Sequence, residues 1–172
     1  FSESRAREEV AQKVAAADRP VLVVGSLALR RGWKERLEGL SIPVFTTAAA
    51  KGAVDEGLAH AAGVFTGDGK ELAAETKVIS EADLVVGVGL RNTEVLTPRP
   101  FGRYTVLVDE VNGALAEGFE PDILSIDADT DAVADLLDIL SEKRWGLDNL
   151  DSLRQTMQRA LLDTPWLPAA CF

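Results

Sequence analysis

The sequence predicts an α/β protein with three α/β/α layers around a mostly parallel sheet of five or six strands. Short runs of β-branched and aliphatic residues alternate with segments of helical periodicity, the order that produces parallel strands joined by crossover helices. Two of these apolar runs end in a glycine, at Gly25 and at Gly89. With 172 residues and 47% hydrophobic content, the chain can bury a core of ordinary size.

The first half of the chain is predicted to be a helix followed by a β-α-β unit. Ser2 or Ser4 can cap the first helix. Two parallel strands joined by a helix imply a right-handed crossover. The predicted elements are a first helix with Val10, Val14 and Ala17 on one face, a strand over residues 21–24, a helix over 32–40 and a strand over 42–46.

The second half adds a long loop and further strands. Residues 48–69 are too many for a mere connector, so we predict a binding loop there with one short strand at 61–64. The elements predicted beyond it are a helix over 70–82, strands over 83–88, 104–108 and 123–126, a helix capped within 127–130 with Val133, Leu136, Leu137 and Leu140 on one face, and a final helix with Leu150, Leu153, Met157 and Leu161 at helical spacing.

Composition excludes several classes of function. A net charge of −10 and a pI near 4.6 argue against a nucleic-acid or anionic-membrane surface, which would need clustered Lys and Arg. The single cysteine, Cys171, excludes an internal disulfide and a cysteine cage for a metal. Because so few cysteines are present, we expect a reducing, cytoplasmic compartment. No signal peptide and no bilayer-spanning apolar run is evident.

We expect the chain to be a segment of a longer protein. It starts at Phe1, and its tail, TPWLPAACF, is an apolar run punctuated by proline without an evident partner in the sequence. We place a domain boundary after residue 144. Residues 1–144 are predicted to form the sheet domain, and residues 145–172 a helix and linker that lead toward a neighbouring domain.

Five motifs, in this order and at these spacings, carry a family resemblance. They are R-P-V-L-V-V-G at 19–25, I-P-V-F-T-T at 42–47, K-G-x-x-x-E at Lys51, Gly52 and Glu56, E-A-D-L-V-V-G-V-G at 81–89, and a strand that ends in Asp109. Over about residues 5–140 the chain is similar to the central domain of thiamine-diphosphate-dependent enzymes of the acetolactate synthase, benzoylformate decarboxylase and oxalyl-CoA decarboxylase type.

The resemblance implies a Rossmann-like domain between a pyrimidine-binding and a diphosphate-binding domain. Catalysis in such enzymes takes place between those two flanking domains, with thiamine diphosphate and Mg²⁺ that the central domain does not bind. The parent enzyme would act on 2-oxo acids as a decarboxylase or carboligase and assemble as a homodimer or homotetramer. The central domain carries FAD in some members, ADP in others and no nucleotide in many.

Any nucleotide would bind where the parallel strands end, since that edge of an open α/β sheet is where ligands bind. There Arg91 would donate to a phosphate and Asp109 would accept from ribose hydroxyls. In the alternative interpretation the glycines only let buried strands turn, Arg91 and Lys51 are solvated, and Asp109 opens the next helix. The candidate cofactor-binding residues are Gly25, Ser26, Lys51, Gly52, Gly87, Gly89, Arg91 and Asp109. No catalytic residue and no metal ligand is predicted.

The motifs depart from those of the flavin-containing members. Such members usually show a glycine run after the first strand, a Gly-Lys-Gly element and a His-Pro pair, as the resemblance implies. The corresponding places here read Gly25-Ser26-Leu27, Ala50-Lys51-Gly52 and Leu58-Ala59, with His60 displaced by two positions. Each missing glycine puts a Cβ where backbone must approach the cofactor closely. We therefore do not expect FAD, whereas ADP stays open.

Two further features of the sequence are candidate sites. Gly67-Asp68-Gly69 followed by Asn92 mimics the magnesium element of the diphosphate-binding domain, but Thr93 stands where that element has a second asparagine. We predict no metal there. His60 lacks an identifiable orienting partner and is expected to be structural or exposed.

Two other classes share this scaffold. A self-sufficient NAD-dependent oxidoreductase would need G-x-G-x-x-G after the first strand, but no glycine lies between Gly25 and Gly32. An electron-transfer-flavoprotein-like or sirtuin-like protein would need a complete flavin site or a zinc-cysteine module. Neither set of features is seen in this sequence. An NAD- or FAD-binding oxidoreductase or electron-transfer domain on the same scaffold is kept as the alternative function.

Overall fold

Six parallel strands form one sheet between two layers of helices in the computed structural model, which describes residues 3–69, 73–127 and 130–162. The strands are β1 (Pro20–Val24), β2 (Val44–Thr46), β3 (Ala61–Val64), β4 (Leu84–Val88), β5 (Thr105–Asp109) and β6 (Ile123–Ile126). The helices are α1 (Glu3–Ala16), α2 (Leu27–Arg31), α3 (Lys34–Glu38), α4 (Ala74–Glu81), α5 (Thr130–Ser141) and α6 (Leu147–Leu162), with a 3₁₀ turn at Ala48–Ala50.

The strand order is β3-β2-β1-β4-β5-β6, and every adjacent pair is parallel. This confirms the predicted three-layer Rossmann-like fold, with six strands. The order reverses between β1 and β4, which are neighbours: Val24 lies opposite Val88. At such a switch point the chain leaves the two strands in opposite directions and opens a crevice at their carboxyl ends.

Alternating side chains of the strands feed two apolar cores. One core packs Leu22 and Val86 of the sheet against Val14 of α1, Leu37 of α3 and Leu137 of α5. The other packs the opposite face of the sheet against α4 and α6, with Val23, Phe45, Val85, Leu107, Val78, Ile79 and Leu150 among its buried members. Burial on both faces explains why β1, β4 and β5 read as nearly continuous apolar runs.

The structure differs from the sequence-based prediction at one helix. The helix predicted over 32–40 is only α3, and a short helix that was not predicted, α2, precedes it. The two helices are separate because Gly32 adopts φ +67° and its N–H bonds to the carbonyl of Leu29. A left-handed glycine ends a helix in this way. Several predicted features lie outside the described residues: Ser2, residues 70–72, residues 128–129 and the tail with Cys171. The same holds for the side chains of Ser4, Met157 and Leu161.

The first part of α6 packs on the sheet domain. Trp145 Nε1 donates to the carbonyl of Pro20 at 2.5 Å, Gly146 packs on Pro43, and Leu150 is buried at 1% exposure. The described N-terminal turns of α6 therefore contact the sheet domain. The boundary after residue 144 stays a prediction about the longer protein. Among the described helices, none combines the length and apolar character that crossing a membrane requires.

Candidate functional site

The crevice at the switch point is closed by direct backbone contact. Gly25 and Gly89, which follow β1 and β4, lie so close that a Cβ on Gly25 would be 2.0 Å from the Gly89 carbonyl oxygen. Gly89 has φ +65°, and a Cβ there would be 2.6 Å from Cβ of Leu27. Both glycines are therefore required by the packing of the chain itself.

A buried carboxylate fills the position next to these glycines. Glu94 is 0% exposed. Its Oε2 accepts from the amide of Ser26 at 2.8 Å and from Thr47 Oγ1 at 2.6 Å, and its Oε1 accepts from Ser26 Oγ at 2.7 Å. Ser26 Oγ in turn accepts from Arg30 at 2.8 Å. The turn after β1 and the end of β2 are thus tied to the segment after β4 through one side chain.

Arg91 and Asp109, predicted to contact a nucleotide, bind each other. Arg91 Nη2 lies 2.5 Å from Asp109 Oδ1, and Nε lies 2.9 Å from Oδ2. The carboxylate of Asp109 also accepts from the amides of Glu110 and Val111. The hydrogen bond to Asp109 raises the pKa of Arg91 above its ordinary value, against the desolvation that would lower it. This pair lies where the carboxyl ends of β4 and β5 meet.

A second arginine at this edge is also paired. Arg31 Nε, at the end of α2, lies 2.6 Å from Glu110 Oε1. Glu110 follows β5, so the pair joins the helix after β1 to the turn after β5. Arg31 and Arg91, which lie at this edge of the sheet, are therefore each paired with a carboxylate of the same chain.

Gly87 has a packing role below this edge. A Cβ on Gly87 would lie 2.3 Å from Cδ2 of Leu107 and 2.7 Å from Cδ1 of Leu90. The missing side chain makes room for these two leucines in the apolar core. Gly87 therefore lies within β4 and faces the core, and it does not turn the strand.

Lys51 and Gly52 lie in the turn after the 3₁₀ helix. Lys51 Nζ is 3.3 Å from Glu56 Oε1 in an exposed ion pair, and Gly52 has φ +93°. Lys51 and Glu56 also line a cavity of about 460 Å³ beside β3, α4 and α6. The K-G-x-x-x-E motif thus forms a local pair in this structure.

His60 has a structural contact. The imidazole is 5% exposed, and its Nε2–H donates to the carbonyl of Leu37 at 2.9 Å. Burial lowers the pKa of His60 below its ordinary value, although the hydrogen bond to Leu37 works in the opposite direction. Burial between α3 and the start of β3 thus favours the neutral form of the ring.

The Gly67-Asp68-Gly69 turn is held by a carboxylate of the protein. Glu75, 4% exposed, accepts from the amide of Thr66 at 2.6 Å and from that of Gly69 at 3.2 Å. Within residues 3–69, 73–127 and 130–162, no group of three or more His, Cys, Asp or Glu side chains is arranged to hold a metal ion.

Taken together, the crevice is a satisfied polar cluster. Every buried side-chain nitrogen or oxygen of the described residues has a hydrogen-bond partner. A nucleotide phosphate at the turn after β1 would need the Ser26 amide that Glu94 uses, and a ribose would need the carboxylate that Arg91 uses. The side chains as they stand do not fit FAD or ADP. The role of the predicted residues toward a nucleotide stays a prediction.

Residues 7–137 match the family described as thiamine pyrophosphate enzyme, central domain. The chain belongs to this family. The matched range contains all six described strands and agrees with the resemblance carried by the sequence motifs.

Relatives of this central domain are parts of much longer enzymes. A 3D-(3,5/4)-trihydroxycyclohexane-1,2-dione hydrolase of Shouchella clausii is 38% identical over 94 residues, which are 52% of this chain and 14% of the hydrolase. A pyruvate decarboxylase of Aspergillus fumigatus is 35% identical over 78 residues, which are 43% of this chain and 14% of that enzyme. The chain thus spans only a small part of these relatives.

A solved structure shows the same fold. The benzoylformate decarboxylase of Polynucleobacter necessarius superimposes with a TM-score of 0.58 at 18% identity, over 81% of this chain and 27% of that one. At this identity the likeness concerns the fold alone.

The sequence did not point to Glu94, the central residue of the crevice in this central domain. Asn92-Thr93-Glu94 reads as a polar turn, and polar turns are usually solvated. One signal was available: the segment leaves a central strand at the switch point, where its side chains can reach the turn after β1.

Proposed function

We propose that this chain is the central domain of a thiamine-diphosphate-requiring enzyme that acts on 2-oxo acids, as a decarboxylase or carboligase. The observation that carries the proposal is the family match over residues 7–137. Two of the similar proteins are named for decarboxylation of pyruvate and of benzoylformate, which are both 2-oxo acids.

The role proposed for the domain itself is structural, on a nucleotide-type fold that is vestigial as a binding site. Support comes from the crevice, where Glu94 and the Arg91–Asp109 pair use the groups that a nucleotide would need. The same geometry disfavours the alternative of an NAD- or FAD-binding oxidoreductase or electron-transfer domain. Thiamine diphosphate and Mg²⁺ would be held by the flanking pyrimidine-binding and diphosphate-binding domains of a cytoplasmic homodimer or homotetramer.

The test compares the longer protein with the isolated chain. The longer protein is expected to release CO₂ from pyruvate or benzoylformate, or to join two 2-oxo acids, only when thiamine diphosphate and Mg²⁺ are both supplied. The isolated chain is expected to show no turnover and no thiamine diphosphate binding by calorimetry.

Two results would overturn this proposal. One is turnover by the isolated chain above the level of a mock purification from cells lacking the gene. The other is a longer protein that is folded and loaded with thiamine diphosphate but inactive on every 2-oxo acid tested.

A further inference from the structure

Glu94 is an acidic side chain buried completely in a protein of net charge −10. Burying a carboxylate is unfavourable unless donors converge on it. Three donors do so here: the Ser26 amide, the Ser26 hydroxyl and the Thr47 hydroxyl, at 2.6 to 2.8 Å. They surround the carboxylate as they would surround a bound anion.

The position of the Glu94 carboxylate, next to the turn after β1, indicates its role. In sheets with this strand order, the phosphates of a dinucleotide lie against the turn that follows the first strand. That turn is Gly25-Ser26-Leu27 in this chain, and its Ser26 amide donates to Glu94. We propose that Glu94 is an internal anion that occupies the phosphate position of the switch-point crevice and closes the crevice to FAD and ADP.

The cations at this edge are engaged in the same closed arrangement. Arg91 is paired with Asp109, Arg31 with Glu110, and Arg30 donates to the hydroxyl of Ser26. A phosphate entering the crevice would have to break an ion pair as well as displace Glu94. The closure therefore involves the elements after β1, β4 and β5 together.

The backbone next to Glu94 carries the strain of this closure. Val95 has φ +53°, and it is the only described residue other than glycine with a positive φ. A β-branched residue is disfavoured in that conformation. Val95 is also 77% exposed, so the turn directs Glu94 inward and Val95 into solvent. The hydrogen bonds of Glu94 hold a turn that the local sequence does not favour.

This inference deepens the proposed structural role and rests on it for the kind of ligand considered. The two can fail separately. FAD or ADP binding to the unaltered chain would overturn the internal-anion assignment and leave the thiamine-dependent activity of the longer protein untouched. An inactive longer protein would overturn the activity and leave the closed crevice as described.

The experiment measures thermal unfolding of the unaltered chain, of Glu94→Ala and of a control, Glu117→Ala, whose carboxylate is on an exposed turn. Each is melted in sodium chloride, in sodium formate at equal ionic strength, and with added ADP or FAD. In Glu94→Ala, formate is expected to replace the lost carboxylate and raise Tm, and ADP is expected to bind at least about tenfold more tightly than to the unaltered chain. The unaltered chain and the control are expected to show neither effect.

Two outcomes contradict the proposal: binding of ADP or FAD to the unaltered chain, and a folded Glu94→Ala chain that neither formate nor ADP stabilises. If Glu94→Ala does not fold, Glu94→Gln keeps the shape of the side chain and supplies the readout. Hydrogen exchange of the Ser26 amide is then expected to be at least about tenfold faster than in the unaltered chain, because an amide group is a weaker acceptor than a carboxylate. Equal exchange rates would overturn the assignment.

Discussion

Arg91 and Asp109 form a two-pronged ion pair between the segments that follow β4 and β5, with Nη2 and Oδ1 2.5 Å apart. Asp109 is 1% exposed and Arg91 17% exposed, so the pair is largely shielded from water. The same carboxylate accepts from the amides of Glu110 and Val111. Asp109 therefore fixes both a neighbouring arginine and the path of its own chain.

Replacing Asp109 is expected to destabilise the protein strongly. Asp109→Ala leaves Arg91 without its partner, and removing one member of a buried pair lowers the free energy of unfolding by about 3–5 kcal/mol. Urea unfolding followed by circular dichroism measures the change. The control is Asp138→Ala, which removes the exposed pair with Arg36 and should cost no more than about 1 kcal/mol. Equal effects of the two substitutions would show that the Arg91 pair is not a buried support.

A methyl group at Gly25 is expected to be incompatible with the closed crevice. In Gly25→Ala the new Cβ would lie 2.0 Å from the Gly89 carbonyl and 2.9 Å from Cδ of Glu94, so one strand end must move. We expect a loss of at least about 2 kcal/mol in the free energy of unfolding. Gly39→Ala is the control, because its Cβ meets nothing closer than 3.5 Å and its φ is −80°. A neutral Gly25→Ala would mean that the strand ends are farther apart than described.

His60 is expected to make stability depend on pH. Its pKa is lowered in the folded state, mainly by burial, so the unfolded chain binds more protons below the ordinary value of 6.5. The free energy of unfolding should therefore fall as the pH drops below 6.5, by at most about 1.4 kcal/mol per pH unit from this group. His60→Gln removes the titration and keeps a donor for the Leu37 carbonyl. Identical pH profiles between pH 7 and 5 would contradict this.

Leu150 is expected to anchor α6 to the sheet domain. Leu150→Ala opens a cavity in the core that contains Phe45 and Leu107, and such truncations cost about 2–5 kcal/mol. The exposed Gln155→Ala on the same helix should be nearly neutral.

Removing the residues after 163 should leave cooperative melting intact, because every described strand lies earlier. A chain that unfolds on this truncation would show that the tail belongs to the core.

Much of the fold could be predicted because its central strands are buried on both faces. β1, β4 and β5 are short, mostly apolar and bounded by glycine or polar residues, so their positions follow from composition and period. The short helix α2 was not predicted, and Gly32 was placed at the start of a helix, whereas it ends α2. An isolated glycine is compatible with several positions in a helical pattern, and only its local conformation, φ +67°, decides among them.

The position of the crevice could be predicted from the sequence, but the contacts among its side chains could not. Parallel strands end at one edge, and this brought Gly25, Gly89, Arg91 and Asp109 to neighbouring positions as expected. The ion pair between Arg91 and Asp109 was not predicted. Whether Arg91 contacts a ligand or Asp109 depends on distances of a few ångströms, which no local sequence pattern encodes. The burial of Glu94 likewise results from the approach of three chain segments.

β1 lies at the centre of the sheet although it is the first strand in the sequence. During synthesis its apolar residues leave the ribosome long before β4 does, and until then only β2 and the helices near it can cover β1. Pairing between distant segments forms slowly, and an open apolar strand edge can pair with another chain. Until β4 emerges, one edge of β1 in a growing chain of this protein is therefore open to pairing with another chain.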